Sequence, residues 1–195
     1  MKIGILGGTF DPVHKGHLQL AEEAYTRLKL DSVLFMPAFI PPHKQDSVIT
    51  SPEHRLAMLE RALKELPYCQ ILDFELKQQK VVYTVDTLLE LKKMYSINTE
   101  FFFLVGSDFI YEYQTWKKPE LLLTLAEFVV AARPGFVVKV LPPSTQLLEG
   151  DFINVSSSEI RDNFAHNSNN AEFIPEQVLS YINEFGLYKY HEKNK

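Results

Sequence analysis

Along its whole length the chain alternates short runs of β-branched and aromatic residues with amphipathic segments, the pattern of a parallel sheet covered by helices. Residues 2–6 read as the first strand, and the next segment sets Leu18, Leu20, Ala21, Ala24, Tyr25 and Leu28 on one helical face that ends before Asp31 and Ser32. Residues 33–36 form the second strand. Ser51, Pro52 and Glu53 then supply an N-cap, a proline at the first helical position and an acid in the first turn, for a helix running to about residue 66. Residues 71–76 read as a strand, and Thr84 opens a helix bearing Val85, Leu88, Leu89 and Leu91. Two further strands cover 100–105 and 128–132, the second stopped by Arg133, Pro134 and Gly135. Residues 152–155 lead into a capping box from Ser156 to Glu159, and Pro175 starts a last helix ending near Gly186. The expected fold is α/β: a doubly wound parallel sheet in a single domain over residues 1–188, followed by a charged tail over 189–195. In such sheets, ligands lie beyond the carboxyl ends of the strands.

Charge narrows the partners. With 20 basic against 25 acidic residues the net charge is -5, which argues against the broad basic surface that nucleic acid requires. One phosphorylated small molecule needs only a few local cations and backbone N–H groups, which an acidic protein can supply. Cys69 is the only cysteine, so an intrachain disulfide and an all-cysteine metal site are excluded and a reducing compartment suits the chain. No charged leader precedes the first strand, and no apolar run approaches the ~20 residues of a membrane span. The expectation is a cytoplasmic protein with neither membrane nor nucleic-acid partners.

The stretch Gly7-Gly8-Thr9-Phe10-Asp11-Pro12-Val13-His14-Lys15-Gly16-His17 joins the first strand to the first helix. Adjacent glycines let backbone approach a polyphosphate, and the helix start offers unpaired N–H groups with a favourable dipole. His14 and His17 are three apart, so both imidazoles can face one phosphate, donating hydrogen bonds and, when protonated, stabilising its growing charge. The same letters also serve a turn that needs glycines and a helix end capped by histidine. A metal held by the two histidines has no evident third ligand. Neither the dinucleotide glycine fingerprint nor a Walker A loop is present.

Gly7 to His17 resembles the first motif of the nucleotidyltransferase superfamily that carries a His-x-Gly-His element. Val155-Ser156-Ser157-Ser158-Glu159-Ile160-Arg161 is similar to its second motif, Ile-Ser-Ser-Thr-x-Ile-Arg, with Val155 and Ser158 as mild departures. Between them lie the Pro-Pro-His-Lys run that ends at Lys44, Tyr83-Thr84-Val85-Asp86-Thr87, Gly106-Ser107-Asp108, Trp116 and Ala132-Arg133-Pro134-Gly135. Together these resemble bacterial nicotinate-nucleotide adenylyltransferase over nearly the whole chain.

The resemblance implies a Rossmann-like fold and adenylyl transfer from ATP to nicotinate mononucleotide. It assigns His14, His17, Lys44 and Arg161 to catalysis, and Gly7, Gly8, Thr9, Phe10, Gly106, Asp108, Ser156, Ser157 and Ser158 to ATP. Trp116 would stack on the pyridine ring, with Thr84, the backbone at Lys117, and Arg133 also on the pyridine nucleotide. Relatives often carry an aromatic residue where this chain has Lys117, so only a backbone role carries over there. Mg²⁺ is expected, held mostly through ATP and water with no dedicated protein ligands. Two alternatives stay open at this point: another adenylyl- or cytidylyltransferase, for example one acting on phosphopantetheine, and a nucleotide-sensing module without turnover.

Overall fold

The computed structural model describes residues 1–40, 49–132, 140–166 and 171–189. Among them the strands are β1 (Lys2–Gly8), β2 (Ser32–Pro37), β3 (Cys69–Ile71), β4 (Glu100–Gly106), β5 (Glu127–Ala132) and β6 (Thr145–Glu149). The helices are α1 (Lys15–Leu28), α2 (Pro52–Leu63), α3 (Phe74–Gln78), α4 (Thr84–Met94), α5 (Phe109–Glu112), α6 (Pro119–Leu125), α7 (Ser157–Ala165) and α8 (Glu176–Glu184). All strand pairs are parallel, in the order β3-β2-β1-β4-β5-β6. The fold is the expected α/β doubly wound sheet, and the order of its strands reverses between β1 and β4. That reversal opens a crevice at the carboxyl ends of those two strands, where this architecture takes its ligands.

Side-chain alternation explains the two cores. In β4, Phe101, Phe103 and Val105 face Val85, Leu88 and Leu91 of α4 and Leu122 of α6, while Phe102 and Leu104 join the core of α1, α2, α7 and α8. Both faces are covered, so the strand reads as one uninterrupted apolar run. Each fully buried large side chain contributes about 1.5–3 kcal/mol.

Three local expectations change. Residues 71–76 are not a strand: β3 makes three pairings with β2, ending Phe35↔Ile71, and residues 74–78 coil into α3. β2 itself runs on to Pro37, so β3 ends because the chain leaves the sheet edge after Leu72, whose N–H donates to the Phe35 carbonyl at 2.8 Å, and enters α3 at Phe74. α2 stops at Leu63, and the Leu66 N–H closes a turn onto the Leu63 carbonyl at 2.9 Å. Ser51 occupies the N-cap position, yet its hydroxyl takes no capping bond. β6 was not expected, because of its five residues Leu148 alone is buried.

Candidate active site

β1 delivers the chain into the crevice at Gly8, and α1 begins after His14, an extended N-cap with φ -141° and ψ 168°. Phe10 adopts a left-handed φ of 51° and folds its ring inward, where it is 1% exposed and meets the His17 ring edge-on at 5.0 Å. A Cβ at Gly8 would lie 3.2 Å from that ring, so glycine is needed for Phe10 to serve as the floor beneath His17. The two imidazoles stack, with centroids 3.6 Å apart and planes 23° from parallel. The His14 backbone N–H donates to His17 Nδ1 at 3.2 Å. An Nδ1 that accepts leaves the proton of a neutral ring on Nε2, which is therefore the donor available to a ligand. Burial, reinforced by the neighbouring His14, holds the His17 pKa well below the ordinary imidazole range. His17 is thus a neutral N–H donor, one of the two roles that the sequence leaves open to it.

The second motif docks directly onto the first. Ser156 caps α7, its hydroxyl accepting from the Glu159 N–H at 3.1 Å, which is one of the two bonds of the expected capping box. Ser157 donates to the Pro12 carbonyl at 2.9 Å, and Arg161 donates through NH1 to the Asp11 carbonyl at 2.7 Å and through NH2 to the Ser158 hydroxyl at 3.2 Å. The close approach has a steric condition: a Cβ at Gly16 would meet both Val155 Cγ1 and His14 Nδ1 at 3.1 Å.

Two residues unassigned from sequence hold this corner together. Arg55 of α2 is 0% exposed and donates to the carbonyls of Thr9 (2.9 Å), Ala38 (2.7 Å), Phe39 (3.1 Å) and Thr50 (2.9 Å). It thereby ties Ala38, Phe39 and Thr50, at the two ends of the Pro-rich loop over residues 37–50 that contains Lys44, to Thr9 of the first motif. Asp11, 2% exposed, accepts the Thr50 N–H at 3.1 Å on one carboxylate oxygen and the Tyr188 hydroxyl at 2.8 Å on the other. Burial lowers the Arg55 pKa and the Asp11 charge opposes that shift. The sequence did hold a signal for Arg55, which occupies the apolar stripe of α2 with Met58, Leu59 and Ala62.

Across the crevice, β4 ends at Gly106, where a Cβ would meet nothing within 4 Å. Asp108 stands at the start of α5, exposed and without a side-chain capping bond. Trp116 is half-buried, its ring edge-on to Phe103 (6.4 Å), Phe109 (5.3 Å) and Phe128 (6.5 Å). Lys117 Nζ pairs with Asp86 at 2.8 Å and sits 4.5 Å from the Tyr83 ring, tying the Trp116 turn to the start of α4 where Thr84 lies. Behind Thr84, Thr87 donates to the buried Glu75 carboxyl at 2.8 Å. Burial pushes that carboxyl up to about 7, and the Thr87 bond only partly offsets it.

Residues 5–163 match the sequence profile of the family described as cytidylyltransferase-like. The chain is similar to a probable nicotinate-nucleotide adenylyltransferase of Bacillus cytotoxicus, 42% identical over 188 residues that cover 96% of this chain and 98% of that one. A relative of the same name in a Thermoanaerobacter species is 35% identical over 213 residues, covering 100% and 97%. The chain belongs to the nicotinate-nucleotide adenylyltransferase family. Its fold is that of the Plasmodium falciparum nicotinic acid mononucleotide adenylyltransferase solved in complex with NaAD, with a TM-score of 0.80 at 22% identity over 96% and 97% of the two chains.

For this member of the nicotinate-nucleotide adenylyltransferase family, most of the residues singled out in the sequence flank one crevice. Gly7, Gly8, Thr9, Phe10, His14 and His17 follow β1, Gly106 and Asp108 follow β4, and Ser156, Ser157, Ser158 and Arg161 reach over from α7. Phe10 is buried, so only its backbone can meet a ligand. Thr84, Trp116 and Lys117 form a second cluster on the α4 side. Lys44 and Arg133 lie outside the described residues, as do residues 190–195 of the charged tail. Among the described residues no three or more His, Cys, Asp or Glu side chains group as metal ligands, and no helix is long and apolar enough to cross a membrane.

Proposed function

We propose that this chain transfers the adenylyl group of ATP to nicotinate mononucleotide, giving nicotinate adenine dinucleotide and pyrophosphate in the biosynthesis of NAD. One observation carries the reading: Ser157 and Arg161 of α7 bond to Pro12 and Asp11, in the loop that presents His14 and His17. These bonds hold the starts of α1 and α7 and the Arg161 guanidinium close together, an arrangement that supports a polyphosphate ligand there.

The acceptor phosphate is already anionic at neutral pH, so neither a general base nor a protein nucleophile is required. One of its oxygens attacks the α-phosphorus in line, and the bond from that phosphorus to the oxygen bridging the β-phosphate breaks. The electron pair leaves with pyrophosphate. The His17 Nε2–H, already aimed by the His14 N–H, bonds more strongly as charge grows on the α-phosphate oxygens. Arg161 would offer its remaining donors to the β- and γ-phosphates, and Lys44 would add a cation from the Pro-rich loop. Trp116 would stack on the pyridine, with Thr84 and the backbone at Lys117 meeting its carboxylate and Arg133 assisting.

Mg²⁺ would neutralise triphosphate charge while held through ATP and water, with Asp108 the exposed acid at the end of β4 suited to orient its hydration shell. The enzyme would work in the cytoplasm. Mixing the protein with ATP, Mg²⁺ and nicotinate mononucleotide should release one pyrophosphate per dinucleotide formed. Release with phosphopantetheine but not with the mononucleotide, or ATP binding without release, would overturn the proposal.

A further inference from the structure

The end of the described chain returns to the nucleotide site. α8 closes with the Leu187 N–H on the Ile182 carbonyl at 3.0 Å and the Gly186 N–H on the Asn183 carbonyl at 3.3 Å, around a Gly186 φ of 61°. This is a Schellman turn, and glycine takes its left-handed step without a Cβ penalty. The reversal carries Tyr188 back to the first motif, 177 residues away, where its hydroxyl donates to Asp11 Oδ1 at 2.8 Å. Its ring lies against Phe164 of α7, with centroids 6.0 Å apart. Burial and the Asp11 charge raise the phenol pKa well above its ordinary value, so Tyr188 keeps its proton and remains a donor.

Asp11 is therefore a junction of four segments. Its carboxylate holds Tyr188 and the Thr50 N–H, its carbonyl holds Arg161, and its own backbone belongs to the loop that leads to His14. We infer that Tyr188 is a positioning residue for the triphosphate: by fixing Asp11 it fixes the carbonyl on which Arg161 rests, and so the direction the guanidinium presents to ATP. The inference rests on the adenylyl-transfer reading. Removing the hydroxyl leaves one carboxylate oxygen of a buried acid without its donor, which frees the Asp11 backbone and the Arg161 anchor together. The pyridine side, built from α4 and the Trp116 turn, is tied by the Lys117–Asp86 pair and is independent of this link.

The test compares two ligands on the full chain. Tyr188→Phe keeps the ring and deletes only the donor. Affinity for an ATP analogue with a methylene between the α- and β-phosphorus, measured by calorimetry with Mg²⁺, should fall about tenfold. Affinity for nicotinate mononucleotide, read from Trp116 fluorescence, should stay within about twofold on the same scale. KM for ATP should rise in parallel while KM for the mononucleotide holds. Asp11→Asn probes the link from its other side and should also weaken the analogue, with Tyr188→Phe adding little on top because the two report one interaction. Unchanged analogue affinity in Tyr188→Phe, or an equal loss for both ligands, would overturn the positioning role. A wild-type protein that binds neither ligand would remove the functional reading and this inference with it, whereas a wild-type protein that binds both beside an unaltered variant would remove the inference alone.

Discussion

Arg55→Met tests the corner on which the site is built. The substitution keeps much of the aliphatic volume and deletes a guanidinium that is 0% exposed and donates to four carbonyls from three separate stretches, at Thr9, residues 38–39 and Thr50. A buried acceptor left unpaired costs about 1–3 kcal/mol, and four of them set an upper bound that entering water would reduce. The charge balance points to the same scale, because breaking one side of a buried ionic arrangement costs about 3–5 kcal/mol and Asp11 would lose its nearby cation. A chain of 150–250 residues loses about 2–4 °C of Tm per kcal/mol, so the expected fall is roughly 6–20 °C. Thermal unfolding followed by circular dichroism, with urea melts to check that the transition stays two-state, reads it directly. Arg55→Lys should recover only part of the loss, since one ammonium cannot span four carbonyls. A Tm fall below about 3 °C for Arg55→Met, which is about 1 kcal/mol on that scale, would refute the idea that this side chain fastens the loop ends to the first motif.

Other outcomes follow from individual side chains. His17→Ala should lower kcat by about 10²–10³, the scale for losing one preorganised donor, with little change in mononucleotide KM; a fully active variant in steady-state assays would remove His17 from the chemistry. Trp116→Ala should weaken mononucleotide binding by about 1–3 kcal/mol by analogy with base stacking, and it should also cost some stability because the ring packs against three phenylalanines. Glu75 keeps a proton in the folded state up to about pH 7, whereas an unfolded carboxyl has lost it by about pH 5, so stability falls as pH rises across that window. Glu75→Gln should remove that slope and stabilise the protein at about pH 8 by up to roughly 3 kcal/mol, measured by urea titration at several pH values. His17 acts in the opposite sense: its depressed pKa means the unfolded state takes the proton first, so its contribution is complete above about pH 6.5 and is lost as pH falls below it. The stability profile of His17→Ala should be flatter on the acid side.

The parts of the fold legible in the sequence were those whose signal is local. β4 and β5 are covered on both faces and read as continuous apolar runs, and both His14–His17 and Ser156–Arg161 announce themselves by composition at the start of a helix. β6 escaped notice because an edge strand with one buried residue has almost no apolar pattern. The stretch 71–76 misled because its apolar residues suit a strand, while pairing with β2 stops at Ile71 and the chain turns into α3 from Phe74. Arg55 and Tyr188 were invisible as site residues for a related reason. Their partners are backbone carbonyls and a carboxylate brought close only by the fold, across separations of up to 46 and 177 residues. An arginine in an apolar stripe signals burial, but what it bonds to is settled in three dimensions.

A crystal structure with a non-hydrolysable ATP analogue and Mg²⁺ bears most directly on the claim that both ends of the chain serve one phosphorus atom. The account predicts the α-phosphate within hydrogen-bond reach, about 2.7–3.2 Å, of His17 Nε2, with the β- and γ-phosphates against Arg161 and the start of α7. A triphosphate bound away from the end of β1, or one that leaves His17 Nε2 and Arg161 both untouched, would contradict it.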